Sequence, residues 1–367
     1  KYAPGTVFDG DFVFGVATLA LPNELITWFT ANTFDAGIDF EGWNGLFGFS
    51  VDYFDRRREG RFARRTGALP TVVGAEAPRE NLDSDRHFGV DLELSHRNTI
   101  GSFSYRIKAI ASITRQKYLI ASEKGPWGNS YDRWRNDNLN DRYQGLEFGY
   151  EGAGRYENWE DIWSYPIYKE RDILPGDYKY MDWNGDGEIN SQDEHPYAYN
   201  QTPWMNFSLG YDCSYRNFDL NFLFQGTALG SMQYKEPLYS IWGPNGGGTL
   251  EQYLDRWHPV DPTADPYDPE TKWVDGYYGF TGNYPLENSD FNRVSTTYLR
   301  LKSIEVGYTL PKKIRAFSSM NLRVFANAYN VFTITGVKYV DPEHPDDELG
   351  RMYPINKTYT VGVSATF

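Results

Sequence analysis

The chain has 367 residues, 40% of them hydrophobic, and a formal net charge of −14 from 36 Lys and Arg against 50 Asp and Glu. That acidity argues against nucleic-acid binding, because phosphate contacts need a basic surface. Mean hydropathy is −0.62 and no run of about 18 apolar residues occurs, which excludes a transmembrane helix but not a β-barrel, whose alternating strands vanish from averaged hydropathy.

The only cysteine is Cys213, so neither an intrachain disulfide nor a cysteine metal site is available. Aromatic residues make up 17%, with 29 Tyr and 11 Trp. Membrane-interface girdles use such a surplus, and so does a carbohydrate-binding sandwich. The opening Lys1-Tyr2-Ala3-Pro4 is no signal peptide. A barrel needs export, so the beginning of the protein is expected to lie outside this sequence.

In chain order, period-two alternation marks nine strands. The first has Phe34, Ala36, Ile38 and Phe40 on one face and Asp35 and Asp39 on the other. The second has Phe47, Phe49, Val51 and Tyr53 opposite Asp52. The third has Phe88, Val90, Leu92 and Leu94 opposite Asp91 and Glu93. The fourth has Phe103, Tyr105, Ile107, Ala109, Ala111 and Ile113 opposite Arg106 and Lys108. The fifth is Phe207, Leu209, Tyr211, Cys213 and Tyr215, and the sixth Phe218, Leu220, Phe222 and Phe224. The seventh is Ile304, Val306, Tyr308 and Leu310, and the eighth Leu322, Val324, Ala326 and Ala328 opposite Arg323. The ninth sets Tyr359, Val361, Val363, Ala365 and Phe367 against Thr358, Thr360, Gly362, Ser364 and Thr366.

No apolar face carries a charge. A lipid-facing charge at mid-bilayer costs roughly 2–4 kcal/mol, whereas a lumenal charge stays hydrated. A soluble sandwich alternates too, with its polar face in water. The connections discriminate better. Short ones lie near 41–45, 96–101, 216–217 and 311–318, and long ones near 55–86, 114–203, 226–297 and 333–354. Outer-membrane barrels place short turns on the periplasmic side and long loops outside, and structureless loops of this length are rare in compact soluble domains. The final aromatic, Phe367, falls on the membrane face and is expected to serve in insertion. Bacterial single-chain barrels have even strand numbers and tolerate no open edge in lipid, so nine strands are expected to be only part of a wall.

Within the longest connection, Asp182-Trp183-Asn184-Gly185-Asp186-Gly187-Glu188-Ile189-Asn190-Ser191-Gln192-Asp193 has the spacing of a calcium loop. Calcium takes six to eight hard oxygen ligands, and a glycine at position six permits the sharp turn. Asp182, Asn184, Asp186 and Asp193 would give side chains and Glu188 its backbone carbonyl, rigidifying a long loop. Position twelve is Asp instead of Glu, which resembles dockerin-type loops and weakens bidentate ligation. An acidic Asn-Gly turn without metal is the other reading.

His87, His96, His195, His258 and His344 are scattered, and no HExxH, GxSxG or P-loop pattern occurs. No catalytic residue is therefore assigned. Acidic pairs on so acidic a surface read as solvated, not as a glycosidase dyad. Gly246-Gly247-Gly248 reads as a loop. Trp127, Trp134, Trp159, Trp163, Trp183, Trp242, Trp257 and Trp273 all fall in long connections. They either hold those loops together or stack on sugars and partners.

The segment Tyr298-Leu299-Arg300-Leu301-Lys302-Ser303-Ile304-Glu305-Val306-Gly307-Tyr308-Thr309-Leu310-Pro311 resembles the signature near the end of SusC-like TonB-dependent transporters of Bacteroidetes. So do Asp255-Arg256-Trp257, Asn330-Val331-Phe332, Asn217-Phe218-Asp219-Leu220 and Phe224-Gln225-Gly226. The stretch from Leu174-Pro175-Gly176-Asp177 to Asp193 is similar to that family's calcium-like loop. The similarity runs from about residue 26 to 367. It implies that residues 1–367 are the C-terminal portion of one all-β, antiparallel, 22-stranded transmembrane barrel. It also implies a plug domain and a TonB-contacting box before residue 1, and a SusD-like lipoprotein lid outside. The expected function is TonB-dependent import of oligosaccharides or oligopeptides across the outer membrane of a Gram-negative bacterium. The alternatives are a passive porin and a soluble calcium-dependent glycan-binding protein.

Overall fold

The computed structural model describes residues 9, 11, 21–65, 69–70, 72, 77–122, 139–168, 172–235, 238, 251–280, 288–311, 320–343 and 352–366, and residues 2–8 and 12–16 by their backbone. Trp127, Trp134, Trp242, Gly246-Gly247-Gly248, His344 and Phe367 lie outside the described residues.

All nine expected strands form: β1 Thr30–Gly42, β2 Phe47–Arg64, β3 Arg79–Ile100, β4 Phe103–Ile120, β5 Met205–Tyr215, β6 Phe218–Ala228, β7 Tyr298–Thr309, β8 Asn321–Thr335 and β9 Thr358–Thr366. They make one antiparallel sheet in strict sequence order, each strand bonded to its chain neighbours, with β1 and β9 at the edges of the described sheet. Register is continuous from Met205↔Ala228 to Tyr215↔Phe218, where Arg216-Asn217 closes a two-residue hairpin. Arg216 has φ 53° there, the left-handed conformation that two-residue hairpins require.

The strands β2, β3 and β4 outrun the sequence reading for a physical reason. β2, β3 and β4 have 18, 22 and 18 residues, where about 9–11 cross a bilayer. Beyond residues 55 and 86 both faces turn polar, so alternation ceases while the backbone ladder continues. β7 begins at Tyr298, where the long connection 226–297 was expected to end. Against β6, Leu223 pairs with Ser303 and the next residue, Phe224, with Leu301, which marks a bulge at Lys302 that moves the outward face from Leu301 to Ile304 and breaks the period.

The chain divides into two compact units. The first comprises Lys1–Ala36, Tyr53–Gly89 and Arg115–Gln144. It contains an antiparallel pair, Tyr2–Phe8 with Asp11–Val16, and the long polar parts of β2, β3 and β4. The second comprises Gly37–Asp52, Val90–Thr114 and Gly145–Phe367.

In the second unit the buried apolar side chains lie mainly in the connections. Tyr150, Tyr156, Ile162, Leu174, Tyr178, Tyr180, Trp204, Met232, Tyr253 and Tyr278 are all buried. The apolar faces of the strands are exposed instead: Val306 by 47%, Val361 by 79% and Val363 by 63%. A water-soluble sandwich would bury that face. An apolar solvent around the sheet accounts for the inversion.

Candidate functional site: the loop layer and inner face of the second unit

The chain from Asp182 to Asp193 folds as a ladder of side-chain-to-backbone bonds. Asp182 Oδ1 accepts from the Gly185 N–H at 2.7 Å, and its Oδ2 from the Gly187 N–H at 2.8 Å. Asn184 Oδ1 accepts from the Asp186 N–H and Asp186 Oδ1 from the Glu188 N–H, both at 2.9 Å. Gly185 and Gly187 have φ of 73° and 85°, which only glycine adopts without strain. Ile189 is buried with Tyr150, Tyr178 and Tyr180 and anchors the loop.

Asp193, fully buried, turns both oxygens to backbone donors. Oδ1 accepts from the Trp183 N–H at 2.8 Å, and Oδ2 from the Asn190 N–H at 2.8 Å. The second bond is half of a capping box over the 3-10 turn Ser191–Asp193. Asp182, Asn184, Asp186 and Glu188 line the exposed side of this turn. Among the described residues no three His, Cys, Asp or Glu side chains converge as a metal cluster. What the chain supplies is oxygen-rich composition and a fixed backbone.

Around this loop the three long connections of the second unit knit into one layer. The Tyr150 N–H donates to the Asn288 carbonyl at 2.8 Å, and the Gly152 N–H to Asp290 Oδ1 at 2.9 Å. The Tyr234 hydroxyl donates to the Lys338 carbonyl at 3.0 Å. Arg155 donates to the Tyr277 carbonyl and lies over the Tyr178 ring, 4.0 Å from its centroid. His195 stacks on Trp183, centroids 3.8 Å apart, with Nε2 3.1 Å from Glu151 Oε2. Lys179 Nζ donates to Asp161 Oδ1 at 2.5 Å. Burial alone would raise the Asp161 carboxyl, but Lys179 and the Glu157 N–H outweigh it and hold it below the usual carboxylate range.

Arg300 was not singled out in the sequence, yet it pins this layer to the sheet. It is fully buried and donates to Glu343 Oε2 at 2.9 Å, Asp341 Oδ2 at 2.5 Å and Thr333 Oγ1 at 2.9 Å. The Tyr298 hydroxyl donates to Glu343 Oε1 at 2.6 Å. The available signal was a lone Arg at the start of an apolar strand, with an Asp-Pro-Glu turn 41 residues on. Only the fold joins the two.

The polar faces of the strands are charged and laterally paired. Arg323 of β8 reaches Asp219 of β6 across β7 and also contacts Glu305 Oε1 at 2.7 Å. Gly307 makes the crossing possible, since it pairs with Asp219 and has no Cβ in the path of the guanidinium. Lys108 pairs with Glu93 at 2.9 Å and Arg97 with Glu41 at 2.9 Å. Beside the short turn after β1, an open basin of about 630 Å³ is lined by Arg97, Arg106, Asp212, Asp219 and Asn221 among others.

In the first unit Arg58 and Arg61 converge on Asp85, which is fully buried. The Arg58 Nε–Asp85 Oδ1 distance is 2.7 Å. Burial would raise the Asp85 carboxyl, but the hydrogen bond from Arg58 and the charge of Arg61 outweigh it and hold it low. His87 is pushed below its ordinary value by burial and by Arg58.

The tryptophans divide. Trp257 is buried, Trp159 and Trp273 are half-buried, Trp183 stacks on His195, and Trp163 is 72% exposed. Loop packing therefore explains some of them and not others. Of the histidines, His195 enters the loop core, His87 the Asp85 cluster, and His96 stacks on Tyr105.

Comparison with known proteins agrees with this architecture. Residues 3–133 match the family described as TonB dependent receptor-like, beta-barrel. The chain is 23% identical to TonB-dependent receptor P3 of Formosa agariphila over 96% of its own length and 36% of that protein. It is 22% identical to TonB-dependent receptor SusC of Bacteroides thetaiotaomicron, covering 98% of this chain and 34% of that one. The chain thus spans about a third of the length of these curated relatives. Its fold superposes on the structure of the RagAB peptide transporter with a TM-score of 0.69 at 19% identity, covering all of this chain and 38% of that one.

Proposed function

We infer that this chain, part of a SusC-like TonB-dependent receptor β-barrel of the Gram-negative outer membrane, takes part in active import of a nutrient across that membrane. The observation that carries the reading is the inverted sheet. Its apolar face is exposed, and its other face holds charged groups such as Arg323, Asp219 and Glu305 in lateral ion pairs. A wall of that kind separates lipid from a hydrated lumen.

The substrate belongs to the oligosaccharides or oligopeptides. A SusD-like surface lipoprotein covers the loop layer, and TonB acts through a region that this sequence does not contain. The chain binds and passes its cargo and carries out no chemistry on it.

Calcium is part of the same proposal. Asp182, Asn184, Asp186 and the Glu188 carbonyl would hold it, with Asp193 fixing the turn from behind. Bound there, the ion would supply charge neutralisation to an acidic turn and stiffen the loop layer.

Uptake tests the reading against a passive porin. Cells expressing the complete receptor and its lipoprotein are expected to accumulate substrate only with functional TonB and a proton gradient. Uptake unchanged by loss of TonB would favour the porin.

A further inference from the structure

We propose that the outward faces of β2, β3 and β4 form a basic belt, Arg57, Arg86, Arg115 and Lys117, that binds the phosphate groups of glycolipids in the outer leaflet of the membrane. The proposal rests on the barrel assignment and does not depend on what the barrel imports.

Side chains alternate along a strand, so the outward positions follow from the apolar ones. On β2 the outward apolar run ends at Tyr53, and Asp55 and Arg57 come next. On β3 it ends at Phe88, and Arg86 comes next. On β4 it ends at Ile113, and Arg115 and Lys117 come next. Contacts agree with this facing. Arg86 Nε donates to both oxygens of Asp55 at 3.0 Å, and its guanidinium lies over Phe88, 4.5 Å from the ring centroid. Arg115 and Lys117 share the Tyr143 ring, 3.9 and 5.6 Å from its centroid. Arg57 keeps 56% of its side chain exposed. All four cations belong to the first unit. On β5 to β8 the corresponding end of the outward face is uncharged, with Met205, Ala228, Leu299 and Ile334. Just before β9 it has one cation, Lys357.

Charge and residue type identify the ligand. Residues 53–65, 79–89, 115–122 and 139–144 carry eleven Arg and Lys against six Asp and Glu, in a chain whose net charge is −14. Their field is therefore opposite in sign to that of the chain as a whole and attracts anions. Ten of the eleven are Arg, whose planar fork pairs bidentately with phosphate and is weakly hydrated. The carboxylates beside the belt are Asp55, Glu59 and Asp141. Arg86 already neutralises Asp55, and Lys117 holds Asp141 at 2.7 Å. The belt begins where the apolar run stops, the height at which hydrocarbon gives way to headgroups. A headgroup anchored in the same leaflet is held at that height by its acyl chains, whereas a dissolved anion must be captured from bulk water with full loss of its freedom.

Glycolipid binding to the purified full-length receptor in detergent, read by native mass spectrometry, tests this. The probes are diphosphorylated lipid A, the same lipid stripped of its phosphates, and inorganic phosphate. Diphosphorylated lipid A is expected to bind, and the stripped lipid to bind at least about tenfold more weakly, the scale of one charge-assisted hydrogen bond. A basic side chain at an anionic surface contributes about fivefold, so Arg57→Gln, Arg115→Gln and Lys117→Gln combined should weaken lipid A binding about a hundredfold. Lys357→Gln, at a lone outward cation away from the belt, should leave it unchanged. Retained heat-modifiable gel mobility shows that the variants fold, and the comparison of the two lipids needs no variant. Equal binding of the two lipids, inorganic phosphate binding as tightly as lipid A, unchanged affinity in the folded triple variant, or an equal loss in Lys357→Gln overturns the proposal.

Discussion

Single residues carry the two opposite solvent demands of this sheet. Val306 sits on the exposed apolar face of β7, and its neighbour Gly307 sits on the charged face, where Arg323 crosses to Asp219. Replacing Val306 by Arg should cost about 2–4 kcal/mol in the membrane, while Arg at Ser303 or Thr309 on the hydrated face should cost far less. Urea unfolding in lipid vesicles checks the difference. Equal penalties at the two faces would mean that both are solvated alike. Gly307 is needed for a different reason from Gly176, Gly185 and Gly187. The latter three have positive φ, whereas at Gly307 the demand is space between two charged side chains.

At the scale of elements, the long hairpin ends and the Asp182–Asp193 turn make separate predictions. The extension of β2 and β3 is tied by Arg58 and Arg61 to Asp85. Folding holds this carboxyl below its ordinary value of 3.8. Its contribution is therefore complete above the unfolded value and is lost as pH falls through the folded one. Hydrogen-exchange protection of residues 58–64 and 79–87 should drop on acidification below pH 4. Asp85→Asn should show reduced protection already at neutral pH and little further change with acid. An acid-insensitive wild type would count against the ion cluster as the tie. In the turn, Trp183 stands beside the proposed ligands and can sensitise terbium. Terbium luminescence should rise on titration, fall on competition with calcium, and be lost in Asp182→Asn. A luminescence response independent of Asp182 would remove the metal from this loop.

Over the whole molecule, burial is allotted in reverse of a soluble fold. Aromatic side chains of the connections form the buried clusters, including Tyr150, Tyr178 and Tyr180, while the strands leave Val361 and Val363 uncovered. Hydrocarbon outside the wall replaces a protein core, so the complete protein should stay with membranes through an alkaline carbonate wash and require detergent for release. Recovery in the aqueous wash would overturn the barrel assignment. The length of β2, β3 and β4, up to about twice the roughly 9–11 residues a span needs, carries their pairing well past the bilayer.

Strand existence, facing and order were determined by the sequence alone, because side-chain alternation is local and hairpin partners are near neighbours in the chain. All nine strands and the Arg216-Asn217 turn were legible on that basis. The spacing of oxygen donors from Asp182 to Asp193 was legible too, as a pattern within twelve consecutive residues. Tertiary structure alone decided where the strands end, since beyond the membrane a ladder needs hydrogen bonds but no alternation. It also decided that Asp193 caps a turn by accepting from Trp183 and Asn190, and that Arg300 meets Asp341 and Glu343. The gathering of Trp159, Trp257 and Trp273 on one cavity was likewise invisible in the sequence. Arg300 lies 41 and 43 residues from Asp341 and Glu343, and the indoles come from separate stretches of connections with no period, so only tertiary packing brings either set together.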